Sequence, residues 1–463
     1  MKLYNLFGAL LVVLVLMGAH PVGAQTPDSL DHYLEMAAKN NPGLNADFLA
    51  YKASLEKVPQ AGAWSDLQLD IGFFLKPMDL VGGRQIADFT LMQMFPWFGT
   101  KKAAQTEATH MAQMAYEKFR ETRDNLYLEV YTQWYILSTL EQQLHNNREN
   151  LQLLKQLEEL SLRKVSSPYS GTSSAYPVPA PMPATKGTAT SSTGGGMAGM
   201  GSTAPGMSDV LRVQLEMAEI ENNIESIHSE KAAEKAKFNA LLNRPADSDV
   251  ILPDSIAKVP FLFDEGVTMG EIENRNPMLG MLAEEEQAYR AKGEMEQKMS
   301  YPMFGIGLQY MLIDKSATAQ MEQGMEPEMT GMDMIMPMVS ISIPLFRNKY
   351  KAQQRESRFL WQSTREKYNN RLNMLQSDLY KLKHQLDDAE RKIALYRKQE
   401  QLARTTYQLV LQEFVSAKSD LTNVIQVQRQ LLDYQLRQAE AIAEYNTRVA
   451  AISKLRSFQT INN

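Results

Sequence analysis

Between Met321 and Met338 the sequence MEQGMEPEMTGMDMIMPM sets seven methionines among eighteen positions. A core helix uses methionine as an occasional gap-filler and does not interleave it with Glu, Asp, Gly and Pro, so this stretch reads as exposed. A thioether is a soft ligand that favours Cu(I), and by the same logic Ag(I), over hard cations, and it needs no deprotonation. Met321, Met325, Met329, Met332 and Met334 lie on a Gly-containing run able to fold several sulfurs around one ion, and Met197, Met200 and Met207 do the same in a second segment. These eight are the candidate metal-contacting residues. The plainer readings are adaptable filler, an oxidation sink or tolerated drift, and Met336 and Met338 begin a candidate strand.

Other chemistry is sparse. His32, His110, His145, His228 and His384 are far apart and without ligand spacing. No nucleophile elbow, phosphate loop or cleft-like acid pair is present, so an enzyme is the least favoured class and no cofactor is expected. The chain has 463 residues, a net charge of −6 and scattered basic residues, which argues against nucleic acid as a partner. It has no cysteine, hence neither disulfides nor thiolate ligands.

Residues 1–24 carry Lys2, an apolar run to Met17 and Val22-Gly23-Ala24 before Gln25, the pattern of a cleaved secretory signal. An uncleaved anchor is the alternative. No later segment is apolar for long enough to be a transmembrane helix, so any passage through a membrane would need strands.

The chain repeats itself. Asn41-Pro42-Gly43-Leu44 returns as Asn276-Pro277-Met278-Leu279, and Ile71-Gly72-Phe73 returns as Ile306-Gly307-Leu308 at the same offset. Pro96-Trp97-Phe98 matches Pro344-Leu345-Phe346, and Asp209-Val210-Leu211-Arg212-Val213-Gln214 matches Asn423-Val424-Ile425-Gln426-Val427-Gln428. Four pairs in one order indicate two repeats, 25–245 and 246–463. The offset changes twice, once across the methionine-rich loop 321–338 and once across a Pro/Gly/Ser/Thr-rich insert, 166–207, without periodicity. The methionines therefore sit on additions to a scaffold that exists without them.

Each repeat reads helix, strand, strand, long helix, long helix, which is mainly α with a small β part. Alternation marks strands within about 65–98 and 302–345, with a turn near Val81-Gly82-Gly83 in the first. Helices without Pro or Gly follow, from Thr100 to Val165 and from Asn348 to Phe414, each about 100 Å long at 1.5 Å per residue. Leu372, Leu375, Leu379, Leu382, Leu386, Ala389, Ile393 and Tyr396 keep a 3,4 spacing, as do Leu137, Leu140, Leu144, Leu151 and Leu154, which is coiled-coil packing. Return helices span about 208–243 and 420–457. Only a closed barrel lets strands cross a bilayer, and four strands are too few for one, so several chains would have to contribute. The competing readings are a soluble periplasmic coiled-coil protein with two small hairpins, and a structural or adhesive surface protein that uses long coiled coils as a spacer.

In the order of these motifs the chain resembles the TolC family of outer-membrane efflux and secretion channels. The resemblance rests on the two Asn-Pro-x-Leu motifs, Phe95-Pro96-Trp97-Phe98-Gly99-Thr100-Lys101, Ile343-Pro344-Leu345-Phe346, the paired tip motifs and Ala240-Leu241-Leu242-Asn243-Arg244-Pro245. It implies a homotrimer whose 12-stranded outer-membrane β-barrel continues into a periplasmic coiled-coil α-barrel. A periplasmic adaptor and an inner-membrane pump would be its partners, with outer-membrane lipid around the barrel. It implies passive conduction, of Cu(I) and Ag(I) in the copper/silver branch, of drugs and small amphiphiles, or of a secreted polypeptide. The loop 321–338 would face the exterior, and the insert 166–207 would lie at the periplasmic tip. Family members narrow that tip with carboxylates. Here Asn423 and Gln426 stand at those positions, Asp209 and Arg212 at the matching ones, and Asp420 nearby, so a carboxylate ring is in doubt and ordinary solvated tips are the alternative.

Overall fold

The computed structural model describes residues 30–76, 79–80, 83–166, 207–253, 255–314, 331–416 and 418–458. The candidate signal, most of the insert 166–207 and most of the methionine-rich loop lie outside them.

Two short helices precede the first strands, α1 (Leu30–Asn40) and α2 (Pro42–Gly62). The break between them is Asn41-Pro42. Proline fits the first turn of a helix, where its missing N–H costs nothing, and Asn41 caps that turn through its side chain, which accepts from the Leu44 amide at 3.1 Å. The second half repeats the device at Asn276 between α5 (Glu265–Arg275) and α6 (Pro277–Met299). One helix was expected in each half, and the capped proline makes two. Pro59, by contrast, is accommodated inside α2.

The strands are β1 (Gln68–Phe73), β2 (Asp79–Leu80), β3 (Gly83–Phe95), β4 (Met303–Asp314) and β5 (Met334–Ser342). They form one antiparallel sheet in the order β1-β3-β4-β5, with the two residues of β2 pairing onto β3. Both halves thus supply one sheet, joined through β3 and β4, and a bulge at Gln85/Ala87 shifts that register. The sheet of the single chain is open. Pro337 lies within β5, where an edge position tolerates its missing N–H. The expected turn at Val81 and Gly82 falls outside the described residues.

Below the sheet run α3 (Thr100–Ser166) and α7 (Arg347–Val415), with α4 (Met207–Leu241) and α8 (Leu421–Leu455) returning beside them. At 1.5 Å per residue each long helix is about 100 Å. Three buried clusters hold the bundle. The first joins α1, α2, α3 and α4 around Leu137 and Phe238. The second joins α5 to α8 around Leu375, Leu379, Leu386, Ala389 and Ile393, the expected 3,4 stripe. The third ties α3, α4, α7 and α8 together at the end far from the sheet, around Leu154, Val213, Phe414 and Val424. No described helix is long and apolar enough to cross a membrane.

A second stripe on α7 is left largely exposed by the described residues. Leu395, Leu402 and Leu409, spaced by seven, are 50%, 60% and 57% exposed. Leu211 and Leu215 on α4 are likewise exposed.

Candidate channel wall and tip

The register determines which side chains share a face. Ile71 stands opposite Phe89, Phe89 opposite Tyr310, and Tyr310 opposite Ile335. Leu69, Leu91, Leu308 and Pro337 form the next row on that side, and Gln93, Ile306 and Val339 the one after. This face is a continuous apolar band, and Leu69, Ile71, Ile306, Leu308, Val339 and Ile341 on it are exposed. Gln93 interrupts the band near its base, where Nε2 donates to the Ser65 carbonyl.

The opposite face alternates with it and is polar or small. Asp70, Thr90, Gln309 and Met336 form one row; Gln68, Met92, Gly307 and Met338 form the next. It is also the less accessible side, with Met92, Met94, Gly307, Gln309 and Met338 half-buried. A Cβ on Gly307 would stand 2.8 Å from the Leu91 carbonyl oxygen, so only glycine fits the close approach of β3 there.

Aromatic rings collect where the sheet meets the helices. Trp97 stacks on Tyr301 and Phe304 with ring centres 5.2 and 5.9 Å away, and Trp64 meets Phe95 edge-on at 5.3 Å. Lys101 places its ammonium 3.1 Å above the Trp64 ring. Phe98, Leu345 and Phe346 are over four-fifths or nearly four-fifths exposed on the two Pro-x-Phe joints. At Gly99 the chain adopts φ 81°, which glycine allows, to turn into α3.

The two halves are locked together midway. Asp124 on α3 is fully buried; its Oδ2 accepts from the Ser457 hydroxyl at 2.6 Å and its Oδ1 from Arg123 at 2.7 Å. Burial nonetheless dominates and pushes its carboxyl above the usual range. Tyr135, buried nearby on α3, is pushed up to about 12 by the same desolvation.

At the far end, Asp420, Asn423 and Gln426 share one exposed face of α8, while Leu421, Val424 and Ile425 point into the bundle. Asp420 precedes the helix without a side-chain cap bond, and Asn423 donates to the Ser419 hydroxyl at 3.3 Å. Arg212 on α4 is exposed and donates to the hydroxyl of Thr422, a neighbour of the predicted tip residues of α8 and not one of them; Asp209 is half-buried at the start of α4. Two contacts there lay beyond sequence reading. Arg429 grips Glu216 through Nε at 2.7 Å and Glu219 at 3.1 Å, and buried Gln428 donates to Asn150. These pairs join residues more than two hundred positions apart, and no local pattern marks them.

Of the candidate metal residues, Met321, Met325, Met329, Met197 and Met200 lie outside the described residues. Met332 and Met334 are exposed beside or within the start of β5, and Met207 is exposed at the first residue of α4, at the opposite end of the molecule. Among the described residues no three His, Asp or Glu side chains converge into a metal site.

Comparison with known proteins agrees with this architecture. Residues 268–456 match the family model described as outer membrane efflux protein. VceC from Vibrio cholerae superposes with a TM-score of 0.68 at 15% identity over 92% of this chain and 96% of its own. CusC does so with 0.67 at 12% identity over 92% of each chain, and the CmeC outer membrane channel of Campylobacter jejuni with 0.65 at 10% identity over 92% and 85%. A search of curated protein sequences finds no match. Residues 268–456 thus resemble the outer membrane efflux protein family, and the chain as a whole has the fold of TolC-like outer-membrane channels.

Proposed function

We propose that this chain, as a homotrimer, is the outer-membrane channel of a tripartite efflux system. Its repeats, 25–245 and 246–463, each supply strands to a shared barrel and a helical hairpin to a periplasmic tunnel. The observation that carries this reading is the sheet itself. It has one exposed apolar face, a polar opposite face and an aromatic girdle at its base, yet among the described residues β1 and β5 leave their outer edges unpaired. Unpaired backbone is untenable in lipid, so the edges must meet those of other copies, and three copies would give a barrel of twelve main strands. The exposed Leu395, Leu402 and Leu409 stripe on α7 supplies an apolar seam for the same neighbours.

Nothing in such a conduit needs chemistry; an adaptor and an energised inner-membrane pump would drive transport through it. The methionine-bearing inserts favour soft monovalent cations, Cu(I) and Ag(I), as cargo. The test has two parts. Purified protein reconstituted in a planar bilayer should give discrete ion-conducting steps, and a protein that stays monomeric and soluble without detergent would overturn the channel. Deletion in the host should sensitise cells to silver and copper; sensitivity to drugs or detergents alone would keep the channel and discard the metals.

A further inference from the structure

Every methionine in the paired register of the four main strands falls on the polar face of the sheet, and none falls on the apolar face. A lipid-facing band would accept methionine as readily as leucine, and here it takes Leu, Ile, Val, Phe and Tyr instead. The face that holds Asp70, Thr90, Gln309 and Ser340 is the one that takes the thioethers. Chance placement would scatter them over both sides.

The rows are regular. Asp88 stands opposite Met311, which stands opposite Met334; the next row ends in Met336; the next holds Met92 and Met338 on either side of Gly307; the one after sets Met94 beside Gly305, and at the base Met303 stands opposite Ser342. Successive rows on one face of a strand are about 7 Å apart. Directly opposed residues such as Met311 and Met334 have Cβ atoms about 5 Å apart, close enough for two flexible thioethers to share one ion. Glycine leaves room for these side chains. A Cβ on Gly305 would stand 2.6 Å from the Met94 sulfur, so that thioether already lies across the glycine. The methionine-bearing face of the paired segments carries no lysine or arginine, since Arg84 stands opposite Asp314 on the other face, while Asp70 and Asp88 add negative charge to the same wall.

We propose that the lumen wall of the barrel is a ladder of weak soft-cation sites, in which the thioethers of Met92, Met94, Met311, Met334, Met336 and Met338 pass Ag(I) or Cu(I) from row to row. The ladder rests on the channel reading above, because it needs this face to line a pore. It differs in place and in kind from the methionines that precede β5, Met321 to Met332. A flexible loop can collect an ion, whereas fixed rungs at each row let it move on, because binding at any one rung is partial and the next lies within reach. Thioether ligands suit such transit, since they release the ion without waiting for a proton.

The test uses the full-length protein in planar bilayers and in detergent, with silver nitrate as probe and nitrate salts throughout. One variant changes the six wall residues to Leu; a second changes Met321, Met325, Met329 and Met332 to Leu. Wild type and the loop variant should bind silver with sulfur ligation by X-ray absorption, and silver should impede potassium current at low concentration. The wall variant should keep its potassium conductance and need at least tenfold more silver for the same block. If the wall variant fails to assemble, the pair M311L/M336L carries the test with an expected shift of about threefold. Equal binding and block in wild type and wall variant, or loss in the loop variant alone, would overturn the ladder while leaving the channel intact. Absence of potassium conductance in the wild type would instead overturn the channel reading on which the ladder depends.

Discussion

Asn276 and Leu455 tie the beginning of the second half to its end: the Asn276 Nδ2 donates to the Leu455 carbonyl at 2.9 Å while its Oδ1 accepts from the Met278 and Leu279 amides. Asn41 does the same for the first half, donating to the Leu241 carbonyl at 3.0 Å while it caps α2. One amide thus starts a helix and satisfies the last turn of another, which an aspartate could do only in part. Asn276→Asp should keep the cap and lose the tie, and Asn276→Ala should lose both. Since Asn276 is buried, we expect alanine to cost roughly 2–3 kcal/mol and aspartate less, read from thermal unfolding of the purified protein. Equal losses in the two variants would refute the division of labour.

The Arg429 clamp on Glu216 and Glu219 crosses from α8 to α4 in a largely exposed position, with Arg429 59% exposed. Exposed pairs contribute little, so Arg429→Ala should change global stability by less than about 1 kcal/mol. Its effect should be local, freeing the start of α4 from α8 and raising single-channel conductance. A variant with unchanged conductance and a large loss of stability would show the clamp to be a bundle element instead.

The two faces of the sheet should answer differently to charge. Leu308→Arg puts a cation into the middle rows of the apolar band, where it would cost roughly 2–4 kcal/mol near the bilayer midplane, and should abolish the heat-modifiable folded oligomer on gels. Ser340→Lys, on the opposite face, should assemble normally and shift ion selectivity toward anions. Assembly of both variants would mean that the apolar face does not meet lipid.

Glu440 on α8 offers a pH test. Burial raises its carboxyl above the usual 4.5, more than nearby Arg437 lowers it, and Gln143 donates to it at 3.1 Å. A folded-state value above the unfolded one means that the folded protein holds the proton more tightly. The contribution of this group is therefore best below the usual value and is lost as pH rises through the raised one. Glu440→Gln should match the wild type near pH 4 and unfold at a higher temperature at pH 7. The same midpoint at both pH values would remove Glu440 as the cause.

Much of this was legible in the residues. Helices without Pro or Gly were placed at Thr100–Val165 and Asn348–Phe414 and occupy Thr100–Ser166 and Arg347–Val415, because uninterrupted helix formers leave few other choices. The alternation from Leu67 to Phe73 found β1, since period two speaks for itself. What escaped depends on partners distant in sequence. The Asn-Pro motifs were visible as repeats, but their role as helix breaks tied to Leu241 and Leu455 needs the return helices in place. The methionines of the 321–338 loop drew the eye by density, whereas Met92, Met94 and Met311 are sparse and share a face with Met336 and Met338 only once β3, β4 and β5 are in register. Gln428 closes the repeated tip motif and Arg429 follows it, with partners on α3 and α4 that no spacing rule could nominate.

The open sheet also dictates how the molecule comes into being. In the proposed trimer the helices of one chain bury their own clusters and can form alone, but β1 and β5 would complete their hydrogen bonding only against other copies. The last stage of folding is then an encounter between chains, with a rate that rises steeply with their concentration. Entry into the bilayer cannot precede that encounter, because a lone sheet would carry its bare edges into lipid. A dilute chain would wait as a half-finished protein, its helices settled and its strands exposed to whatever holds them apart.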